Sequence, residues 1–273
     1  IKDFGYEQTK GICASFLQER PITIRTNLTK ATPEELKDKL EAEGVTVNKI
    51  EKLPYAFEIS NYDYLQALES FKAGLFYVQD ISSMMVAEIA APEKGNYIID
   101  VCAAPGGKSS HLAEKMEGTG TVEARDLTEY KVSLIEENIE RHGLKNMNAV
   151  QMDATLYDEA SKEKADVLIC DLPCSGLGVM GKKTDIRYKM TAEKQKDLVQ
   201  LQRQILDTVH TYVKKGGTLV YSTCTIHKDE NAGNVEWFVK KHPEFEVISS
   251  EQMFPGGEYH DGFFIAKLRR NNV

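Results

Sequence analysis

Asp100-Val101-Cys102-Ala103-Ala104-Pro105-Gly106-Gly107-Lys108-Ser109 closes an apolar run that begins at Asn96 and opens a helical pattern lasting to about Met116. An apolar strand, a turn of small residues and a helix form the first unit of an open α/β sheet, and ligands bind at such turns. Small side chains let a ligand approach the backbone, and the helix N-terminus that follows offers N–H groups. Gly107-Lys108-Ser109 matches the end of a triphosphate-binding loop, but that pattern needs a glycine five residues before Gly107, where Cys102 stands. This turn holds no G-x-G-x-x-G, so it is not a dinucleotide fingerprint. A tight turn with no ligand stays open from this stretch alone.

Downstream, strands and helices alternate. Thr121 to Ala124 reads as a second strand ending near Asp126. Glu129 to about His142 reads as a helix with Val132, Ile135 and Ile139 on one face. Asn148 to Met152 is a third strand ending at Asp153, and Ala165 to Cys170 is a fourth, running into Asp171-Leu172-Pro173-Cys174. A helix is expected from about Thr191 to Val213, stopped by Gly216-Gly217, then a strand from Thr218 to Ser222 ending at Thr223-Cys224. A helix over Glu230 to Lys240 and strands near Phe245–Val247 and Phe263–Lys267 complete a doubly wound, Rossmann-like α/β sheet.

Upstream the pattern is smaller. After a short helical segment to about residue 20, Ile22 to Asn27 alternates like a strand. Thr32-Pro33-Glu34-Glu35 is a helix start, with Thr as N-cap and Pro at the first helical position. That helix carries Leu36 and Leu40 and stops at Gly44; Val45–Ile50 and Ala56–Ile59 follow as strands. This points to a small ferredoxin-like (RRM-like) α/β domain over residues 1–75, ahead of a second domain over 76–273.

The 273 residues, 41% hydrophobic and 28% charged, suit a globular protein with one large and one smaller domain. The sequence opens on Ile1-Lys2-Asp3-Phe4, which does not resemble a signal peptide, and no run is apolar enough to span a membrane. Five cysteines (Cys13, Cys102, Cys170, Cys174, Cys224) without paired C-x-x-C spacing argue against a zinc site or a disulfide framework and for a reducing cytoplasm. The net charge of −8 counts against a simple nucleic-acid binder. Two local basic clusters stand out: Lys182, Lys183, Arg187, Lys189, Lys194 and Lys196, and Arg20, Arg25 and Lys30. Taken alone, either reads first as a solvated helix face.

Asp126, Asp153, Asp171 and Cys224 each end a different expected strand, so the fold would gather them along one sheet edge. A carboxylate at Asp126 can take both hydroxyls of a ribose, and one at Asp153 can accept from an adenine amino group; each can also be a helix cap. Together they suit an adenosine cofactor without a triphosphate, such as S-adenosylmethionine. Cys13 and Cys170 read as small buried residues, whereas Cys174 and Cys224 lie in loops at the expected ligand edge. Carbon 5 of cytosine is a poor nucleophile toward a methyl sulfonium. A thiolate that adds to carbon 6 makes carbon 5 enamine-like, and the reaction then needs a hydrogen-bonding acid near N3 and removal of the carbon 5 proton. Asp171 and a second cysteine are suitable equipment, and the residues alone do not rank the two thiols.

Asp100 to Lys108, Asp171-Leu172-Pro173-Cys174-Ser175-Gly176-Leu177-Gly178-Val179 and Tyr221-Ser222-Thr223-Cys224-Thr225 resemble motifs of the RNA cytosine-5 methyltransferases. Phe76-Tyr77-Val78-Gln79-Asp80 and Asp261-Gly262-Phe263-Phe264-Ile265-Ala266-Lys267 fit the same family, most closely its Sun/Fmu type, which acts on bacterial 16S ribosomal RNA. The resemblance implies a class I methyltransferase sheet, S-adenosyl-L-methionine as cofactor, RNA (16S rRNA) as partner, no metal, and a monomer in the cytoplasm. It implies a cofactor pocket from Cys102, Ala103, Ala104, Pro105, Gly106, Gly107 and Lys108, with Asp126 at the ribose, Asp153 at the adenine and Asp171 bordering both cofactor and cytosine. It further implies Cys224 as the nucleophile and Cys174 as the residue that aids product release. Sun/Fmu-type proteins also carry an N-terminal helical domain resembling the antitermination factor NusB, which has no counterpart here. The chain therefore reads as a shortened piece or a relative lacking that domain. A methyltransferase acting on tRNA or a non-cytosine acceptor, and an RNA-binding ribosome assembly factor without turnover, are the competing readings.

Overall fold

The computed structural model describes residues 2–256 and 261–272; Ile1 and Val273, the outer ends of the two expected domains, lie outside the described residues. Helix α1 (Gly5–Ser15) is followed by β1 (Ile22–Thr26), α2 (Pro33–Ala42), β2 (Thr46–Lys49), β3 (Ala56–Ser60), α3 (Glu69–Lys72) and β4 (Phe76–Val78). Next come α4 (Ile81–Ala90), β5 (Tyr97–Asp100), α5 (Gly107–Lys115), β6 (Thr121–Asp126), α6 (Glu129–His142) and β7 (Met147–Gln151). The remainder is β8 (Ala165–Asp171), α7 (Ile186–Lys189), α8 (Ala192–Val209), β9 (Val213–Thr223), α9 (Ala232–Lys241), β10 (Phe245–Met253) and β11 (Phe263–Arg270). Among the described residues no helix is long and apolar enough to cross a membrane.

The small sheet runs β2-β3-β1-β4, all antiparallel, with β1 in contact with both β3 and β4. With α2 and α3 this is the βαββαβ plan of a ferredoxin-like module. Its start is set locally. Thr32 accepts from the Glu35 N–H at 3.2 Å while the Glu35 carboxylate accepts from the Thr32 N–H at 2.8 Å, with Pro33 opening the helix. A reciprocal cap of this kind is worth about 1 kcal/mol. Leu36 and Leu40, four residues apart on α2, bury completely among Ile24, Phe57, Ile59 and Phe76. The expected strand-helix-strand-strand unit is thus completed by the four-residue α3 and three-residue β4, too short to leave a periodic signal. The small sheet therefore includes residues on both sides of the expected boundary at residue 75.

The larger sheet has the order β10-β11-β9-β8-β5-β6-β7. β5 pairs with β8, β8 with β9 and β6 with β7 in parallel, while β11 runs antiparallel to both β9 and β10. Val167, Leu168, Ile169 and Cys170 of β8 are all buried, as befits a strand covered on both faces.

By packing, the chain divides into two compact units, as far as their residues are described. One holds Arg20–Tyr97 and Ala103–Met152; the other holds Ile1–Glu19, Ile98–Cys102 and Asp153–Val273.

The stretch around Gly216 departs from expectation. The helix ends at Val209, and β9 already begins at Val213. Val213 pairs with Ala165, and the ladder resumes only where Thr218 meets Val167, so residues 214–217 bulge out of the strand. Gly216, at φ 75°, makes the bulge without the steric cost other residues would meet. The two glycines interrupt a strand where they were expected to stop a helix.

Candidate active site

In the first unit, the turn after β5 is tied to the end of β6. The Ala103 N–H donates to the Arg125 carbonyl at 2.8 Å, and the Gly106 N–H turns back to the Ala103 carbonyl at 2.7 Å. Gly106, at φ 102°, is the residue from which α5 starts. Asp126 is 3% exposed. Its Oδ2 accepts from the Ala104 N–H at 3.0 Å, and its Oδ1 from the Leu127 N–H at 2.8 Å and the Lys131 ammonium at 2.9 Å. A carboxylate offers about four lone-pair sites. Three are engaged here, and Lys131, about half exposed, is the partner best able to withdraw. A buried carboxylate beside a small-residue turn and a helix N-terminus fits an adenosine-type ligand with a free diol. These residues therefore fit S-adenosylmethionine.

The other unit carries Cys102 and the remaining strand ends. The Cys102 N–H faces the Asp100 carboxylate at 3.4 Å. Asp153 lies two residues beyond β7, where its Oδ1 accepts from the N–H and hydroxyl of Thr155 at 2.8 and 2.7 Å. Those bonds hold its carboxyl below the usual aspartate range. Asp171, the last residue of β8, accepts from the Ser222 hydroxyl at 2.7 Å.

Cys174 and Cys224 meet. Their Sγ atoms are 3.3 Å apart, within thiol hydrogen-bond range. The loop after β8 is pinned beside the end of β9, because the Gly178 N–H donates to the Cys224 carbonyl at 3.1 Å and the Gly262 N–H to the Gly178 carbonyl at 2.8 Å. The hydrogen bond with Cys224, then burial, then the charges of Cys224 and Glu230 push the Cys174 thiol well above its ordinary range.

Beneath the thiols lies a polar layer that sequence reading passed over. Glu230 is completely buried and accepts from the Ser175 N–H at 2.9 Å, the Ser175 hydroxyl and the Gln202 amide at 3.0 Å. Ser175 Oγ also lies 2.8 Å from Thr225 Oγ1. The Glu230 carbonyl accepts from the Tyr221 hydroxyl and the Asn234 amide. In the sequence Glu230 is one acid among several at an expected helix start. What marks it is burial, which no local pattern records. One expectation for another residue is corrected. Cys13 is exposed, since α1 buries only Ile12 and Ser15, while Cys170 is buried as expected.

The two basic clusters separate. Arg25 is 1% exposed, bonded to Gln79 at 2.8 Å, paired with Glu114 and stacked over Tyr77 at 4.0 Å. Lys30 donates to the Ala73 and Arg141 carbonyls at 2.8 Å each. Arg25 and Lys30 therefore serve the packing of their own unit. The 182–196 stretch stays on the surface: Lys182, Lys183, Arg187, Lys189, Lys194 and Lys196 are exposed around Tyr188, itself 87% exposed. Lys182 pairs with Asp261 and Lys189 with Asp185. Metal-type donors gather within 4.8 Å of one another, among the described residues, at His210, His242 and Glu244. There the second nitrogen of each ring is already engaged with Asp207.

Residues 87–269 match the family model described as 16S rRNA methyltransferase RsmB/F, and residues 1–69 match the RsmF/B-like ferredoxin-like domain. Over 98% of its length the chain is 37% identical to the probable ribosomal RNA small subunit methyltransferase B of Bacillus subtilis, spanning 64% of that protein. Over 76% of its length it is 36% identical to the tRNA (cytosine(72)-C(5))-methyltransferase of Pyrococcus horikoshii, spanning 55% of it. The fold matches NSun6 from Pyrococcus horikoshii, solved with SFG, at a TM-score of 0.87 and 25% identity, over 98% of this chain and 95% of that one. The chain thus spans just under two thirds of the length of the bacterial relative. Its paired thiols, its small-residue turn and its two matched family models lead to one conclusion: the chain belongs to the RsmB/F family of 16S rRNA methyltransferases.

Proposed function

We propose that this protein transfers a methyl group from S-adenosylmethionine to carbon 5 of a cytosine in 16S ribosomal RNA through a covalent adduct on Cys224. The observation that carries the reading is the meeting of two thiols, 3.3 Å apart, in loops that follow two parallel strands. Methyl transfer to an oxygen or nitrogen acceptor needs no thiol pair. Similarity to a solved relative holding SFG, an S-adenosylmethionine analogue, supports the cofactor.

S-adenosylmethionine supplies an electrophilic methyl group. Asp126 would hold the ribose hydroxyls, Asp153 would sit at the adenine, and the turn from Cys102 to Lys108 would line the pocket. The Cys224 thiolate adds to cytosine C6, moving the ring electrons toward C5, while Asp171 hydrogen-bonds the pyrimidine edge. Once C5 carries the methyl group, water takes the C5 proton while the Cys174 thiol, donating a hydrogen bond to the departing Cys224 sulfur, helps release the product. The electrons of that C–H bond restore the ring double bond and expel the Cys224 thiolate. The exposed basic stretch around Tyr188 suits the RNA backbone and an unstacked base.

Wild type, Cys174→Ala and Cys224→Ala, each incubated with small-subunit ribosomal RNA and S-adenosylmethionine, would be compared on denaturing gels. A protein–RNA band that accumulates with Cys174→Ala and is absent with Cys224→Ala is expected. A band that depends on Cys174 instead reverses the two roles. Methyl transfer that survives Cys224→Ala removes the covalent route. A tRNA substrate is a second reading, favoured by the 36% identity to a tRNA methyltransferase, and the same gel run with tRNA separates the two.

A further inference from the structure

A carboxylate with no solvent exposure, next to a pair of thiols of which one must ionise, is an expensive thing to bury. Desolvation costs several kcal/mol even after relaxation, and an ionised neighbour adds repulsion. Glu230 is nevertheless completely buried, and its carboxylate is bonded from two parts of the chain. Ser175, directly after Cys174, donates both its N–H and its hydroxyl. Gln202 donates from the middle of α8. Thr225, directly after Cys224, is reached through the Ser175 hydroxyl at 2.8 Å. The Cys174 loop is therefore fastened to the carboxylate one residue beyond its thiol, and the Cys224 loop is linked to it through the Ser175 hydroxyl.

We propose that Glu230 is the positioning residue of this site: it locks the Cys174 and Cys224 loops in register and sets which of the two thiols ionises. A fixed negative charge disfavours a second one nearby, and the effect grows as water is excluded. Glu230 is bound to the residue next to Cys174 directly and to the residue next to Cys224 only through a hydroxyl relay. Its charge adds to the upward push on the Cys174 thiol, after the hydrogen bond with Cys224 and burial. Cys174 stays a neutral thiol that can donate to its neighbour, and the thiolate forms at Cys224. One buried charge thus adds to what makes the two cysteines, alike in their loops, unlike.

The groups facing Cys174 are Cys224 and Tyr221 from β9 and the residue after it, and Glu230. His227 Nδ1 lies 3.8 Å from the Glu230 carboxylate.

The inference rests on reading these cysteines as the reacting pair, but its test needs neither RNA nor methyl donor. Failure of methyl transfer and failure of this proposal are therefore separate results. Initial rates of iodoacetamide alkylation at Cys174 and Cys224 would be followed by peptide mass spectrometry between pH 7 and 10.5, at low conversion because the pair titrates together. In the wild type the midpoint for Cys224 should lie below that for Cys174. Glu230→Gln, nearly isosteric and uncharged, should speed Cys174 alkylation at pH 8 by roughly tenfold, the factor for one pH unit of relief. Glu230→Asp, which restores the charge, should return the wild-type order, a rescue that loop loosening would not give. Cys174 titrating first in the wild type overturns the proposal, and so does an unchanged order in Glu230→Gln. If the Gln variant does not fold, the wild-type order alone still decides.

Discussion

At the scale of one residue, Asp126, proposed to hold a ribose, is a strand-end carboxylate already supplied with donors. It is buried at the end of β6, and three donors hold its two oxygens in place. Two of these are backbone N–H groups that belong to the turn and cannot leave. The third is the Lys131 ammonium, on a side chain about half exposed. Hydrogen bonds to a charged group are worth about 1.5–3 kcal/mol, so Asp126→Ala should weaken S-adenosylmethionine binding by about tenfold to a hundredfold. Titration calorimetry checks this, and unchanged binding would end the ribose assignment. The Ala variant also takes a partner from the Ala104 N–H, so a loosened turn could mimic the loss. Lys131→Ala separates the two effects. It leaves the carboxylate and both backbone bonds in place, and affinity should hold or rise, because the diol no longer competes with an ammonium.

At the scale of elements, the contact between the loop after β8 and the start of β11 decides where Cys224 sits. Gly178 and Gly262 touch backbone to backbone, and a Cβ on Gly178 would lie 1.9 Å from the Gly262 carbonyl oxygen. No side-chain rotation relieves a clash with a carbonyl. Gly178→Ala must push the loop away, breaking the bond from the Gly178 N–H to the Cys224 carbonyl. Overpacking of this kind costs about 1–3 kcal/mol. The expected result is a lower urea midpoint together with loss of most adduct formation; a variant with wild-type midpoint and adduct yield would show that the contact is not needed. The sequence displayed this glycine only as part of a motif. Strands whose ends carry the site residues were legible because β8 and the second half of β9 are apolar runs, and β6 carries Val122 and Ala124 at alternate positions before its acidic end. Asp126 and Asp171 fall on the last residues of their strands, and Cys224 on the residue after, as expected. Two kinds of feature were not legible. Short elements such as β4 lack the length to show a period. Residues whose meaning depends on burial, Glu230 and Arg25, look like surface charges until distant segments close over them. Arg25 sat in a basic cluster by spacing and in a buried ion pair by tertiary contact, and only long-range packing distinguishes those fates.

At the scale of the whole molecule, burial of ionisable groups sets how stability depends on pH, and both units contribute. His142 stacks on Tyr77 with centroids 3.5 Å apart, between the Asn138 and Phe76 carbonyls. Burial, reinforced by the Arg141 charge, outweighs those carbonyls and pulls its pKa down to about 3. Burial also lowers His111 and His210 below the ordinary histidine value. A histidine that stays neutral when folded but binds a proton when unfolded favours the unfolded state in acid. Its stabilising contribution is complete above the unfolded pKa, near 6.5, and shrinks as pH falls below it. Glu114 works against this trend. Burial raises its carboxyl, so the folded state binds the proton more readily and stability falls as pH climbs above the unfolded glutamate value. Asp153 and Asp207 are lowered and titrate beneath this range. Between pH 7.5 and 5.5, three histidines pull one way and one glutamate the other, so the urea midpoint should drop on acidification. His142→Gln keeps a polar group between the two carbonyls and removes the titration. It should flatten that pH dependence whatever it does to the midpoint at pH 7.5, because a lost contact moves the whole curve and a lost proton changes its slope. A wild-type midpoint that is level across the range would show that Glu114 balances the histidines, and Glu114→Gln would then have to uncover the acid-side loss for the account to stand.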